Sequence, residues 1–282
     1  MVQPPNTETT YEPVVGWPAV PHGIFLHEAA SVGVDSQDRV YVFNRGQWPM
    51  IVFDKEGNFL GSWGTTGEGD GEFNGPAGIA VDQEEHLFIV DSRNHRVQKM
   101  TKDGRFLAKW GRLGSGEGEL NSPWGITIDH EGFVYVADHK NHRAQKFTPE
   151  GEFVASFGRE GSGQGELNRP TDVAVDPEGD VYVCDWANNR VQAFKPDGKY
   201  LANFIGDAQQ PGKWHQQTID ANADTQKARR RVYSLEPEWR FVMPRAVAFD
   251  AQKGRLLVAD THRGRIQIYD KLTNYQDPQF NL

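Results

Sequence analysis

The aspartates Asp35, Asp82, Asp129 and Asp176 stand 47 residues apart, and Asp250 follows Asp176 by 74. Whole segments recur around them. "GPAGIAVDQEEHLFIVDSRNHRVQKMTKDGRFLAKWG" begins at Gly75 and "SPWGITIDHEGFVYVADHKNHRAQKFTPEGEFVASFG" at Ser122. "RPTDVAVDPEGDVYVCDWANNRVQAFKPDGKYLANFIG" follows from Arg169, and "RAVAFDAQKGRLLVADTHRGRIQIY" ends a fifth copy. A unit repeated in sequence buries its apolar faces on its own copies, so it must also repeat in space. The period therefore restricts the fold before any other property is considered.

Each copy holds four short runs rich in β-branched and aromatic residues. In the second copy these are Gly78–Val81, Leu87–Val90, Val97–Met100 and Phe106–Trp110. Asp-Gly or Glu-Gly turns separate them, as at Asp103–Gly104. Near-continuous apolar strands such as "LFIVD" require burial on both faces. Four strands per repeat of this length predict an all-β propeller of four-stranded blades. Blades are expected at about 30–64, 77–111, 124–158, 171–206 and 245–270, within a single domain. Residues 207–244 interrupt the series. They read as a degenerate sixth blade, with "QQTID" and "RVYSL" as strands, or as an insertion with a helix in "ANADTQKARRRV". Ala, Gln, Lys and Arg favour the helix. Residues 1–29 are expected to close the propeller, Tyr11–Trp17 adding the last blade's outer strand and removing a free edge.

Composition excludes several classes. No apolar run approaches the ~20 residues of a membrane helix. The start, "MVQPPNTETTYEPVVGW", has neither the basic nor the apolar part of a signal peptide. A single cysteine, Cys184, leaves no internal disulfide, and its place in "VYVCD" predicts a buried small hydrophobe. A cytoplasmic protein is expected. A net charge of −9 argues against a broad nucleic-acid surface, although Lys227, Arg229, Arg230, Arg231 and Arg240 cluster locally. No Walker loop, EF-hand, G-x-S-x-G, H-E-x-x-H or paired CxxC occurs, so no nucleotide or organic cofactor is expected. The glycine-rich acidic stretches "GEGDGEFN", "GSGEGELN" and "GSGQGELN" recur and are read as inter-blade turns.

The repeat is also an internal control. A residue found at one place in several blades belongs to the scaffold; one that breaks a repeated position needs another reason. Asp91, Asp138, Asp185 and Asp260 recur, as do Asn94, Asn141 and Asn188, and Arg96, Arg143, Arg190 and Arg265. These are expected to shape turns, with the arginines pairing acids on the next blade. His142 is matched by His95. The position after the repeated Asp varies, as Arg45, Ser92, His139, Trp186 and Thr261. So does the residue after the Pro that opens strand one, as Ala77, Trp124, Thr171 and Arg245, and Asp172 and Ala246 replace Gly78 and Gly125. Alternating strand direction places these variable positions at one mouth of the central channel. The 207–244 insertion lies at the same end and reads as a lid.

The motifs "P-x-G-I-x-V-D", "V-Y-V-x-D-x-x-N-x-R-V-Q-x-F" and "D-G-x-F-L-x-x-W-G" resemble NHL repeats over roughly residues 30–270. NHL propellers usually have six blades, so the five countable copies leave five or six open. The first blade, "YEPVVGWPAVPHG" and "VGVDSQDRVYVFNRGQWPMIVFDKEGNFLGSWG", resembles bacterial relatives of peptidyl-α-hydroxyglycine α-amidating lyase. That resemblance implies a histidine-held zinc at the mouth, carbinolamide cleavage and an active-site Arg in "V-F-x-R-G", matched by Arg45. The family's Pro-His zinc positions read here as Pro76-Ala77, Pro123-Trp124, Pro170-Thr171 and Pro244-Arg245. Its catalytic Tyr falls near Trp186 or Ala187, where no Tyr occurs.

The residues support a small-molecule enzyme, a lyase or hydrolase acting on a polar or anionic substrate at the mouth. Arg45 and Arg245 are expected to orient a carboxylate. His139 or His262 would serve as acid or base, with Asp172 or Glu28 assisting. Trp124, Trp186 and Thr171 would wall the pocket. A divalent metal, zinc or calcium, would use His27, His139 and His262. The alternative is a non-catalytic propeller that binds protein, peptide or RNA on this face. The sequence is silent on oligomeric state.

Overall fold

A computed structural model describes residues 16–26, 28–44, 49–208, 213–232 and 234–272. It has the expected architecture. Four antiparallel sheets of four strands follow one another in chain order, and a fifth sheet has three strands among the described residues. In the second blade the strands are Pro76–Val81, Leu87–Asp91, Arg96–Met100 and Phe106–Trp110. The second strands of blades two to four, Leu87–Asp91, Val134–Asp138 and Val181–Asp185, are buried at every residue. Their two faces serve two different cores. Phe88, Val90 and Val97 of blade two pack with Ile126, Val134 and Val136 of blade three, while Leu87 and Ile89 pack back onto Tyr41 and Phe43 of blade one. Each blade is thus a wedge between apolar neighbours. Inner strands approach so closely that a Cβ on Gly78 would lie 2.6 Å from the carbonyl oxygen of Trp124. None of the described helices is long and apolar enough to cross a membrane.

The recurring polar residues form a clasp at the entry to each blade. Asp138 is fully buried. Its carboxylate accepts from the backbone N–H of Asn121 at 2.7 Å, from Asn141 and Arg143 at 2.9 Å each, and from Gln145 at 3.1 Å. Arg143 also donates to the carbonyls of Gly116 and Glu119, in the glycine-rich loop that delivers the chain to this blade. Asp91–Arg96, Asp185–Arg190 and Asp260–Arg265 repeat the arrangement. The arginine therefore pairs with the Asp five residues before it, not with an acid on the next blade. The reason is local: across the second hairpin Asp138 faces Arg143 directly, as Asp91 faces Arg96. Burial raises the carboxyls of Asp91, Asp138 and Asp185, while these hydrogen bonds pull in the opposite direction.

The glycine-rich loops are inter-blade turns, as expected. Glu119 and Glu166 accept from the N–H groups of Gly116 and Gly163 within their own loops. His95 and His142 are scaffold too. Each adopts a left-handed backbone after a short 3-10 turn. Each ring accepts an N–H from the segment just before the next blade's inner strand, from Ser122 at 3.0 Å and from Arg169 at 3.3 Å. In blade four Asn189 does the same for Met243 at 2.8 Å. Cys184 is fully buried, and its thiol is pushed up by burial.

The insertion is helical. It contains α1 (Lys213–Ala221), α2 (Ala223–Arg231) and α3 (Glu236–Trp239). Asn222 caps α2 by accepting from the N–H groups of Asp224 and Thr225. The end of the insertion replaces a glycine-rich loop. The carbonyls of Trp239 and Arg240 accept from Arg265, and Val242 N–H donates to Asp260. Of the N-terminal closing segment, Tyr11–Val15 lies outside the described residues. Trp17 packs on Phe53 of blade one with ring centroids 5.9 Å apart.

The clasp gives a direct test. Asp138→Ala leaves the mostly buried Arg143 without its anion, so unfolding free energy should fall by about 3–5 kcal/mol in urea titrations. A loss under about 1 kcal/mol, typical of an exposed pair, would contradict this account.

Candidate functional site

The five inner strands surround a channel of about 830 Å³. Glu28, Trp124, Thr171, Asp172 and Arg245 lie on its wall. None of the described residues of 207–243 is on that wall. The insertion's last residues are committed to the clasp of blade five.

Trp124, His139, Trp186 and Arg245 form a column. The His139 imidazole lies parallel to the Trp124 ring, with centroids 4.7 Å apart and planes at 8°. Trp186 is tilted against that histidine, with ring centroids 6.2 Å apart. The Arg245 guanidinium sits 5.8 Å from the Trp124 ring centroid, within cation–π range. His139 is only 8% exposed, is absent from the channel wall, and has Nδ1 3.1 Å from the carbonyl oxygen of Pro170. Burial lowers its pKa, so at neutral pH the ring is uncharged and Nδ1–H donates to that carbonyl. His139 breaks the repeat because Trp124 breaks it: the imidazole is the platform on which the indole lies.

Asp172 has a different relation to the channel. One oxygen accepts from Val247 N–H on blade five at 3.0 Å. The other fills space where Gly125 on blade three has no Cβ. Ser31 in blade one does the same, accepting from Ile79 N–H at 3.2 Å. A polar side chain at this position is therefore an inter-blade link as well as part of the wall. Asp172 differs in charge. It accepts two backbone N–H bonds, yet burial dominates and pushes its pKa up to about 7. No ion pair joins it to Arg245, and among the described residues no carboxylate lies within ion-pair distance of that arginine.

The other candidates separate. Thr171 is buried, and its hydroxyl donates to the Pro244 carbonyl at 3.4 Å. Glu28 is exposed at the rim. His262 is exposed on the short turn of blade five. Arg45 and His27 lie outside the described residues. The zinc of the resembled lyase family does not fit the described donors. Ala77 and Trp124 stand at two of its positions and offer no ligand, and Thr171 is engaged with Pro244. Among the described residues the one group of three possible ligands is Asp82, Glu84 and His86, in the turn between the first and second strands. What sequence reading missed is the dual use of position 172, a signal present in Ser31 at the matching place.

Family models match parts of the chain. The NHL repeat matches residues 120–147, 167–194 and 241–269, and a model described as a 6-bladed beta-propeller matches 30–99. None of the curated proteins matches the sequence. Virginiamycin B lyase from Staphylococcus aureus aligns with a TM-score of 0.53 at 10% identity, covering 86% of this chain and 69% of the lyase. A protein of unknown function from Bacteroides thetaiotaomicron aligns at 0.57 and 18% identity, over 86% of this chain and 59% of that one. A chain of a nidogen/laminin complex aligns at 0.50 and 16% identity, over 86% and 80%. Likeness at this level concerns the fold alone.

The Asp172 carboxyl makes stability depend on pH. Its folded pKa of about 7 lies above the ~3.9 of an unfolded aspartate. The folded state therefore holds the extra proton, and stability falls as pH rises from about 4 to 7. Asp172→Asn keeps an acceptor for Val247 and removes the charge. Its melting temperature should exceed the parent's at pH 8 and converge with it at pH 5. Parallel melting curves at both pH values would refute the assignment. On the repeats, the clasp and the blade geometry together, the chain is a β-propeller of four-stranded blades, and residues 120–147, 167–194 and 241–269 of it match the NHL repeat.

Proposed function

We propose that the channel mouth binds a small polar, anionic molecule and that the protein is an enzyme of lyase or hydrolase type acting on it. One observation carries this reading. Arg245 is held over Trp124 with no carboxylate within ion-pair distance among the described residues, on the same wall as an Asp172 carboxyl lifted to about 7. A guanidinium at the mouth orients a carboxylate or similar anion. A carboxyl that titrates near neutrality can take and return a proton at working pH. Trp124 supplies the apolar wall, and His139 holds that wall in place. Glu28 adds a second carboxylate at the rim, and Arg45 a second cation by its matched position.

The three-histidine metal set is the less favoured part of the proposal. His139 has one ring nitrogen engaged, is stacked on Trp124 and 8% exposed, and is not on the channel wall. No step is assigned to a metal. The fold-level likeness to a virginiamycin B lyase supports lyase chemistry as one class a propeller mouth can host.

A second reading rests on α2. Lys227, Arg230 and Arg231 are exposed on this helix, and a propeller that binds a macromolecule would use such a surface.

The test is a thermal-shift and turnover screen of small carboxylates and their amides, with metal analysis of the purified protein. A ligand that raises the melting temperature should lose that effect in Arg245→Ala. Asp172→Asn should lower turnover about 100-fold or more while keeping ligand binding, as expected for loss of an acid–base group. His139→Ala should weaken binding through a displaced Trp124. A silent screen, with peptide or RNA binding lost in Arg230→Ala/Arg231→Ala, favours the second reading.

A further inference from the structure

The repeat also orders the charges around the mouth. In blades two to five, the backbone N–H at the second place of the short 3-10 turn binds a carbonyl of the segment that enters the blade. Arg93 binds Asn74, Lys140 binds Asn121, Ala187 binds Asn168 and His262 binds Val242. This bond sets the turn residue beside the residue that follows the carbonyl. The adjoining pairs read Gly75 and Arg93, Ser122 and Lys140, Arg169 and Ala187, Met243 and His262. The approach is close in blade two, where a Cβ on Gly75 would lie 3.0 Å from the Arg93 side chain. Each pair holds one basic residue. It comes from the turn in three blades and from the entering segment in blade four. The sequence position of the basic residue changes, while its neighbourhood in space does not.

These pairs lie at the mouth, because each adjoins the proline that opens an inner strand: Pro76, Pro123, Pro170 or Pro244. Arg93, Lys140, Arg169 and His262 are all exposed. Among the described residues, Arg93, Lys140, Arg169 and Arg245 have no carboxylate within ion-pair distance. Other cations of the same blades do: Arg96, Lys99, Lys109, Arg112, Arg143 and Lys146 are all ion-paired. Acids of the glycine-rich loops are already engaged, Asp70 by Lys109, Glu119 by Arg112 and Glu166 by Arg159. Burial is the main cause of the low His139 pKa, and the charges of Arg169 and Lys140 lower it further. Both cations therefore act on the Trp124–His139 pair that also carries Arg245. The carboxyls on the wall are Glu28, in blade one, and Asp172, which titrates near 7. In a chain of net charge −9, this positive rim is a local exception. Charges of one sign around a cleft focus the field and draw the opposite ion into it.

We propose that the ligand of the mouth is a small molecule with at least two anionic groups. Arg245 takes the group that enters the channel. Arg93, Lys140 and Arg169 take those that stay at the rim, and His262 completes the ring on blade five. This rests on the reading of the mouth as a small-anion site and adds the number of charges. Carboxylates and phosphates share the required chemistry, since guanidinium and ammonium groups bind both. The cations stand on separate blades, so they suit charges spaced along one molecule better than a single carboxylate.

Titration calorimetry on the full chain, at pH 7 and constant ionic strength, tests this with two series of anions. One is acetate, succinate and citrate; the other is inorganic phosphate, pyrophosphate and tripolyphosphate. Affinity should rise at least about tenfold from the first to the last member of one series. The series with the steeper rise identifies the anion. Lys140→Ala/Arg169→Ala should remove most of that rise. Arg105→Ala/Lys253→Ala takes the same charge from exposed turns at the other end of the blades and should keep it. Arg245→Ala should weaken every member. A flat series, or a rim double variant that behaves like the control, overturns the inference and leaves the small-anion site standing. If no member of either series binds, the small-anion reading falls and the inference with it. A single-stranded RNA that binds more tightly than tripolyphosphate, and loses this in the rim variant, also overturns it, because the rim then serves a polymer.

Discussion

A buried aspartate with four donors around it organises this molecule. Asp91, Asp138 and Asp185 each bind the backbone of the loop that enters their blade, and an arginine, an asparagine and a glutamine from the blade itself. A carboxylate without water is costly unless every lone pair is used. Here the partners come from two places: the hairpin of the blade and the loop arriving from the previous one. The charge can therefore be buried only when successive blades are connected in the right register. Apolar packing between blades supplies most of the stability, but it is tolerant of small slides; the clasp is not.

Blade five shows how this constraint absorbs variation. Its incoming segment is a helical insertion, unrelated to the glycine-rich loops. Yet Asp260 still receives a backbone N–H, from Val242, and Arg265 still reaches two carbonyls, those of Trp239 and Arg240. The insertion is fixed at its end by this clasp.

The mouth is where the repeat is broken, and the breaks are of two kinds. Trp124 and Arg245 break it on the channel wall. His139 breaks it one layer behind, because a tryptophan in the wall needs a flat surface at its back. Comparing blades within one sequence finds both kinds and cannot tell them apart: the contact between Trp124 and His139 depends on where strand one lies against the turn after strand two. Asp172 is a third case. Its carboxylate links two blades and also faces the channel, and only the burial that comes from this position moves its titration to neutral pH. The scaffold role of His142, by contrast, was legible, because His95 makes the same bond one blade earlier.

The 47-residue period and the alternation of apolar strands with Gly-containing turns determined, by themselves, the propeller, its strand boundaries and the sorting of most polar residues into scaffold. These are properties of a repeating unit, and each copy reports on the others. Tertiary structure decided what a unit meets at its edges. Val32 and Ile79 hold equivalent positions, and one is exposed while the other is buried. The same distinction separates His139 behind the wall from Arg245 on it. Burial and pairing across blades depend on three-dimensional neighbours, and a neighbour 30 to 75 residues away along the chain leaves no periodic mark.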